Sequence, residues 1–208
     1  MTLIGPDYSF EHAAKTRGFS LIAGVDEVGR GPLAGPVTAA AVILDPARIP
    51  AGLNDSKKLS AAKRQALHDE LLECADVSIA HASVEEIDAL NILRASHLAM
   101  ERAVAGLKQV PDHLLIDGNT IPRGLSGSSE AIVKGDARCV SISAASIVAK
   151  ICRDFVMWDL AQHYPQYGWQ TNAGYPSKSH KAALEEFGVT PHHRRSFKPV
   201  HNILYQGK

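Results

Sequence analysis

The sequence has no long apolar run and no secretion signal. Its longest uninterrupted apolar stretch, residues 37–44, spans eight positions, far short of the ~20 that a membrane helix requires. The N-terminal segment MTLIGPDYSF is too polar to be a signal peptide. We therefore expect a cytoplasmic protein that does not associate with a membrane.

Cysteine is also scarce, with three residues and no C-x-x-C spacing. This argues against a disulfide framework and a zinc knuckle, and we expect Cys74, Cys139 and Cys152 to be buried small apolar side chains. With 45% hydrophobic residues, a chain of this length buries roughly 70% of its unfolded surface and needs neither a disulfide nor a structural metal ion to fold. Any bound metal would therefore serve function. No repeat or long linker divides the chain, so we predict one domain over residues 1–208.

Net charge of either sign is absent, because 22 basic residues balance 22 acidic ones. Overall charge therefore does not indicate nucleic-acid binding. The distribution is uneven, since residues 134–208 hold 10 basic against 5 acidic residues. A basic C-terminal half fits a phosphate-binding surface, and a chance distribution over a solvated surface fits equally well.

Strand and helix patterns alternate along the chain, which predicts an α/β fold with a mixed sheet, flanking helices and a helical C-terminal region. The apolar runs predict strands at residues 21–25, 37–44, 77–82, 114–117 and 131–133. The first two should form an antiparallel pair. Helices are expected from Ser60, over residues 84–108 with interruptions after a capping box at Ser83, over residues 142–163, and from Ser177 to Gly188.

Three of these apolar strands lead into carboxylates, in the runs IAGVDE, LLIDG and IVKGD. Strand ends line the crevice in which α/β sheets bind ligands, and converging carboxylates repel one another unless cations lie between them. Oxygen ligands select Mg²⁺ or Mn²⁺ over zinc. Two such ions would suit two-metal phosphoryl transfer. The acids concerned are Asp26, Glu27, Asp117 and Asp136.

Each acid also has a simpler explanation, because an Asp after a strand is most often a turn former. Strand alternation further places Asp26 and Glu27 on opposite faces of the sheet. For both to enter one site, the first strand must bend or end there.

The turn after the first strand contains Gly29, Arg30 and Gly31. It is not a dinucleotide-binding loop, because Pro32 and Pro36 prevent a helix and the turn leads into another strand. No P-loop motif is present either. Two glycines leave bare backbone that a sugar can approach, and Arg30 could meet a phosphate. A plain tight turn is the alternative.

The run GVDEVGRGPLAGP at residues 24–36 closely resembles the opening signature of bacterial ribonuclease HII, the type 2 ribonuclease H. Further runs agree in order and spacing, so that the resemblance covers about residues 21–197. They are LNDSKKL at 53–59, LIDGN at 115–119, KGD at 134–136, SAASIVAK at 143–150, GYP at 174–176 and HHRRSF at 192–197.

The resemblance implies a ribonuclease H-like fold and a metal-dependent endonuclease. Such an enzyme cleaves the RNA strand of RNA·DNA hybrids and nicks 5′ of single ribonucleotides in duplex DNA, leaving 3′-hydroxyl and 5′-phosphate ends. The family's metal-binding acids correspond to Asp26, Glu27, Asp117 and Asp136, which would hold two Mn²⁺ or Mg²⁺ ions. Its 2′-hydroxyl-reading loop corresponds to Gly29, Arg30 and Gly31, and its sugar-packing tyrosine to Tyr175.

Other features are less specific. Lys57 could hold a phosphate or be one of a solvated lysine pair. The basic run at residues 192–195 fits a contact with a nucleic-acid backbone or a solvated helix face. We expect a monomer, since no apolar stripe suggests assembly. A junction resolvase of the same fold would cut substrates without a 2′-hydroxyl, and a non-catalytic hybrid-binding module would cut nothing.

Overall fold

The computed structural model describes residues 5–205 and contains one mixed five-stranded sheet with strand order β3-β2-β1-β4-β5. Residues 1–4 and 206–208 of the predicted domain range lie outside this description. The strands are β1 Ile22–Val28, β2 Val37–Leu44, β3 Ala75–Ala82, β4 His113–Asp117 and β5 Ser129–Ile132. The helices are α1 Ser9–Thr16, α2 Ala61–Cys74, α3 Val84–Leu90, α4 Ile92–Ala105, α5 Val140–His163, α6 Trp169–Asn172, α7 Lys178–Phe187 and α8 Lys198–Tyr205.

β1 is the central strand and pairs differently with its two neighbours. It is antiparallel to β2, with Val25 opposite Ala41, which confirms the predicted pair. It is parallel to β4, and that pairing ends where Val25 lies opposite Ile116. Because parallel strands end at the same edge of a sheet, the acids that follow these two residues are brought side by side.

Helices cover both faces of the sheet, α4 on one side and α5 on the other. Along β2, Ala39 and Ala41 belong to the core under α4, whereas Ala40 and Val42 belong to the core under α5. Strands buried on both faces have continuous apolar sequences rather than alternating ones. This is why an apolar run in the sequence marks β2, which is buried along its whole length.

The helix ends follow local side-chain chemistry. The hydroxyls of Ser60, Ser83 and Ser177 accept hydrogen bonds from the first turns of α2, α3 and α7, which confirms the predicted capping box at Ser83 and the start of α7. Gly188, with φ of +79°, ends α7 as predicted. Asn91, with φ of +70°, separates α3 from α4 and caps the latter, which explains the interruption in the helical pattern.

The C-terminal region is helical, as predicted, and packs beside the loop that follows β1. Residues from α5, α7 and α8 form a separate apolar cluster with Leu33 and Ala34 of that loop. In the cluster Trp169 is buried, whereas Trp158 is half exposed on α5. The C-terminal region is thereby fixed against the segment that carries Gly29, Arg30 and Gly31.

Some details differ from the sequence predictions. β5 spans Ser129–Ile132, so it begins two residues before the predicted strand at 131–133, and a 3-10 helix precedes it at Arg123–Leu125. Cys139 is buried as expected, but Cys74 and Cys152 are partly exposed. Between residues 5 and 205 no helix is both long and apolar enough to cross a membrane.

Candidate active site

A cleft of about 430 Å³ lies at the edge of the sheet where β1 and β4 end. Every residue singled out from the sequence as a candidate site residue lines it. These residues are Asp26, Glu27, Gly29, Arg30, Gly31, Lys57, Asp117, Asp136 and Tyr175.

Three carboxylates form a tight group in this cleft. One oxygen from each of Asp26, Glu27 and Asp117 lies within 4.8 Å of the other two. The prediction that β1 must bend or end at Asp26 and Glu27 is wrong, because β1 continues to Val28 and both acids pair with β2. It is the pairing with β4 that stops, at Val25. The Glu27 carboxylate, which lies beyond the end of this pairing, still reaches the group.

Asp136 lies in the cleft but outside this group of three. It does not follow β5 directly; it is in the 3-10 helix Gly135–Ala137, after the strand has ended at Ile132. The backbone N–H of Gly135 donates to Asp117 Oδ1 over 2.7 Å, which ties this helix to the end of β4. The Nζ of Lys57 lies 4.0 Å from Asp136 Oδ2. Lys57 therefore lies in the cleft beside an acid, and its contact with a phosphate stays a prediction.

The cleft holds more negative charge than its own cations offset. Burial raises the pKa of Asp26 well above its usual range, and the charges of Glu27 and Asp117 raise it further. Burial also raises the pKa of Glu27, against the opposing effect of Arg30, and the pKa of Asp136 is raised by burial and by Asp117. Glu27 Oε2 is buried and has no hydrogen-bond partner among the described residues. Crowded oxygen ligands with a free buried oxygen fit hard divalent cations.

The two glycines of the loop have different roles. Gly29 has φ of +92°, and a Cβ there would lie 2.1 Å from Nε of Arg153, inside the protein. At Gly29 the missing Cβ makes room for a buried arginine, and approach of a sugar to its backbone stays a prediction. A Cβ on Gly31 would lie 3.4 Å from the Tyr175 ring. Gly31 is thus the position at which loop and tyrosine meet.

Arg30 and Tyr175 flank the acids from two sides. Arg30 Nη1 lies 3.1 Å from Glu27 Oε1, so in this structure its partner is a carboxylate. Tyr175 is 41% exposed and its ring stands at the cleft. Its backbone is fixed, since its N–H donates to the Asn172 carbonyl and its own carbonyl accepts from Nδ1 of His180 over 2.9 Å.

Comparison with known proteins decides the family. The profile of the family described as Ribonuclease HII matches residues 23–200. The chain belongs to the ribonuclease HII family. Two curated members are the ribonuclease HII of Ruegeria pomeroyi, 70% identical over 97% of this chain and 86% of that protein, and that of Cereibacter sphaeroides (strain ATCC 17025), 68% identical over 99% and 97%.

Among solved structures, the ribonuclease H2 of Pyrococcus horikoshii OT3 superposes with a TM-score of 0.78 and 30% identity, covering 90% of this chain and 98% of that one. The predicted ribonuclease H-like fold is therefore confirmed. As a ribonuclease HII, the chain is a ribonuclease H endonuclease, a metal-dependent hydrolase that acts on RNA/DNA substrates.

Sequence reasoning missed several residues of this ribonuclease HII cleft. Ser146 of α5 lines the cleft together with Asp26, and its Oγ lies 3.0 Å from Oγ of Ser56. Lys150, one helical turn after Ser146, also lines the cleft and donates to Asp154 over 2.6 Å. The available signal was the i, i+4 spacing of Ser146 and Lys150 within the SAASIVAK run, which places both on one face of the helix.

The interpretation of residues 192–195 as a solvated helix face is wrong, and contact with a nucleic-acid backbone stays a prediction only for the half-buried His192 and the exposed Arg195. His193 and Arg194 are fully buried, and the run is not helical. Its backbone lies against the loop after β1, where the Gly35 N–H donates to the His192 carbonyl and the Arg194 N–H to the Leu33 carbonyl. These two side chains are therefore part of the interior and cannot form a surface for nucleic acid.

Proposed function

We propose that this ribonuclease HII nicks duplex DNA on the 5′ side of single embedded ribonucleotides and cleaves the RNA strand of RNA·DNA hybrids, leaving 3′-hydroxyl and 5′-phosphate ends. The observation that carries the proposal is one cleft containing both parts that such a reaction needs. The acid group of Asp26, Glu27 and Asp117 lines the same cleft as Gly31 and Tyr175, to which we assign contact with a sugar.

In this proposal the four acids Asp26, Glu27, Asp117 and Asp136 hold two divalent cations, Mg²⁺ or Mn²⁺. When bound, such ions supply an activated water and stabilise the leaving 3′-oxygen. The protein's own contribution is to fix the oxygens. The Glu27 amide donates to Asp26 Oδ1 over 2.7 Å, and the Gly135 amide donates to Asp117 Oδ1 over 2.7 Å, so two of the ligands are oriented before any cation arrives.

We assign the reading of the sugar to the loop and the tyrosine that line the same cleft. A lone ribonucleotide in DNA differs from its neighbours by one 2′-hydroxyl, which is both a donor and an acceptor. We assign its recognition to the backbone of Gly29, Arg30 and Gly31, and we assign contact with the adjacent deoxyribose to the Tyr175 ring. The cation of Lys57, exposed at the mouth of the cleft, is assigned to a phosphate.

A cleavage assay tests the proposal with three labelled substrates: duplex DNA with one ribonucleotide, the same duplex without it, and a long RNA·DNA hybrid. We expect a single nick 5′ of the ribonucleotide, cleavage of the hybrid, no cleavage of all-DNA duplex, and no activity with a chelator. Polymerase extension reports a 3′-hydroxyl at the nick, and sealing by a ligase reports a 5′-phosphate. Comparable cleavage of the all-DNA duplex would overturn the proposal in favour of a resolvase.

Two further expectations accompany this function. We propose that the enzyme acts in the cytoplasm as a monomer with a single domain over residues 1–208. Light scattering of the free enzyme and of its complex with a short duplex checks whether the enzyme is a monomer. A mass corresponding to two chains per duplex would contradict it.

A further inference from the structure

Arg194 is a buried arginine whose guanidinium binds only backbone carbonyls. Its Nη2 donates to Gly29 over 2.6 Å and to Pro36 over 3.1 Å, its Nη1 to Arg30 over 3.0 Å, and its Nε to Gly35 over 3.0 Å. Its planar face lies over the Phe197 ring at 5.1 Å. One side chain therefore gathers both ends of the loop that follows β1.

This cation has no carboxylate within ion-pair distance among the described residues. Burial lowers the pKa of Arg194 to about 9, so that the group is still charged at neutral pH. A buried unpaired charge is unfavourable for folding, and an apolar side chain would fill the same space without that penalty. The guanidinium must therefore provide something that an apolar group cannot.

What it provides is the orientation of two peptide groups. All peptide bonds of the described residues are trans, and in a trans peptide the N–H points away from the C=O of the preceding residue. Since the carbonyls of Gly29 and Arg30 point inward to Arg194, the N–H groups of Arg30 and Gly31 point outward, on the side of the cleft. Neither N–H has an acceptor within residues 5–205. Two neighbouring, unpaired donors thus face the space beside the acids.

We propose that Arg194 is a positioning residue that holds the loop of Gly29, Arg30 and Gly31 with its amide hydrogens facing the ribonucleotide. The two N–H groups then donate to the 2′-oxygen and to the adjacent phosphate. This inference rests on the proposed function, and it adds the group that orients the sugar-reading backbone. A guanidinium is suited to the task because it presents five donors in one rigid plane.

The test measures binding discrimination in an Asp117→Asn background, so that the substrate is bound and not cut. The dissociation constant is determined for a duplex with one ribonucleotide and for the identical all-DNA duplex. Arg194→Lys and Arg194→Gln both keep a polar side chain but cannot reach four carbonyls. We expect the ratio of the two constants to fall about fivefold, the effect of losing the one hydrogen bond to the 2′-oxygen, and we expect loss of the phosphate contact to weaken both duplexes by one common factor.

Two controls separate positioning from general stability. Arg102→Lys makes the same substitution at an arginine that binds Glu86 and the His81 carbonyl away from the cleft. Leu67→Ala opens a cavity in the core under α5. A merely structural role weakens both duplexes by the same factor, as partial unfolding does. Both controls should therefore leave the ratio unchanged.

The outcomes distinguish the inference from the function on which it rests. If the Asp117→Asn protein with Arg194 intact does not prefer the ribonucleotide duplex, the proposed function fails. If it shows that preference and both Arg194 variants retain it, the positioning role of Arg194 is wrong. If neither Arg194 variant shows a cooperative thermal transition, Arg194 is a core residue and the inference is equally overturned.

Discussion

Two regions of this molecule bury several charges of one sign, and they treat them in opposite ways. In the acid group, Asp26, Glu27 and Asp117 face one another, and an oxygen of Glu27 has no hydrogen-bond partner within residues 5–205. In the interior beneath the loop, Arg153 and Arg194 direct their donors to carbonyls and share no carboxylate. The first arrangement is open to an external cation. In the second arrangement the donors of the two arginines are used by backbone carbonyls, and these hydrogen bonds orient the backbone of the loop.

The largest expected effect follows from breaking the open arrangement. Asp117→Asn keeps the shape of the side chain and removes one ligand charge, so we expect cleavage to fall by about 10³-fold or more, as loss of several kcal/mol of charge stabilisation would produce. Single-turnover cleavage at saturating Mg²⁺ and at saturating Mn²⁺ measures it. Asp159→Asn, at an exposed acid on α5, is the control and should be silent. Turnover like that of the unmodified enzyme would contradict the two-metal assignment.

Replacement of Tyr175 should have a smaller and selective effect. Tyr175→Ala removes the flat contact beside Gly31, and we expect about 10- to 100-fold loss on a single embedded ribonucleotide, the scale of a lost stacking contact. A long hybrid should lose much less, because it can be cut at many positions. The ratio of kcat/KM on the two substrates measures this. Tyr205→Ala, at an exposed tyrosine of α8, should leave it unchanged, and equal losses on both substrates would refute the sugar-reading role.

Gly31→Val should damage both activities. A Cβ at this position lies 3.4 Å from the Tyr175 ring, and the two further methyl groups of valine would push the ring or the loop away. We expect about tenfold loss on either substrate, as for a displacement within a positioned site. Cleavage rates of the folded variant on both substrates measure it. Loss of activity on only one of the two substrates would contradict a displacement that affects the whole site.

Asp26→Asn should stabilise the metal-free protein although it inactivates the enzyme. Burial raises the pKa of Asp26, so the ionised form is disfavoured in the fold, and stability is lost as pH rises through that pKa. The amide removes this effect. We expect the Tm in chelator at pH 8 to rise by ~3 °C, the shift that about 1 kcal/mol produces at this size. A lower Tm would mean that the carboxylate group is not under repulsion.

The region of buried cations also contains His193, which should make the fold sensitive to acid. Burial, and secondarily His180, lowers the pKa of His193 to about 3. Its neutral form therefore contributes stability above pH 6.5 that is lost as pH falls toward 3. We expect His193→Gln to be less stable at pH 8 but to show a shallower decline in Tm between pH 7 and pH 4. His12→Gln, at an exposed position, should show the same decline in Tm with pH as the unmodified protein. The same decline in His193→Gln would contradict the role assigned to His193.

The difference between the two regions also explains what the sequence could predict. The acids of β1 and β4 follow apolar runs. This local pattern of a strand followed by a carboxylate was enough to predict that they share one site. Arg194 lies in a run of basic residues, and such residues are almost never fully buried unless paired. Its partners are carbonyls about 160 positions earlier in the chain. No local pattern marks a backbone carbonyl, so burial of this arginine could be found only from the fold.

The central helix α5 connects the two regions, and its regular geometry has a mechanical consequence. Ser146 lines the cleft together with Asp26, and Arg153, seven residues later, binds the Ala173 carbonyl two positions before Tyr175. Seven residues of α-helix span about 10.5 Å and nearly two complete turns. The helix therefore fixes the distance between the acid group and Tyr175. A single inserted residue between them would rotate one contact by about 100° relative to the other, so this stretch can vary in composition but not in length.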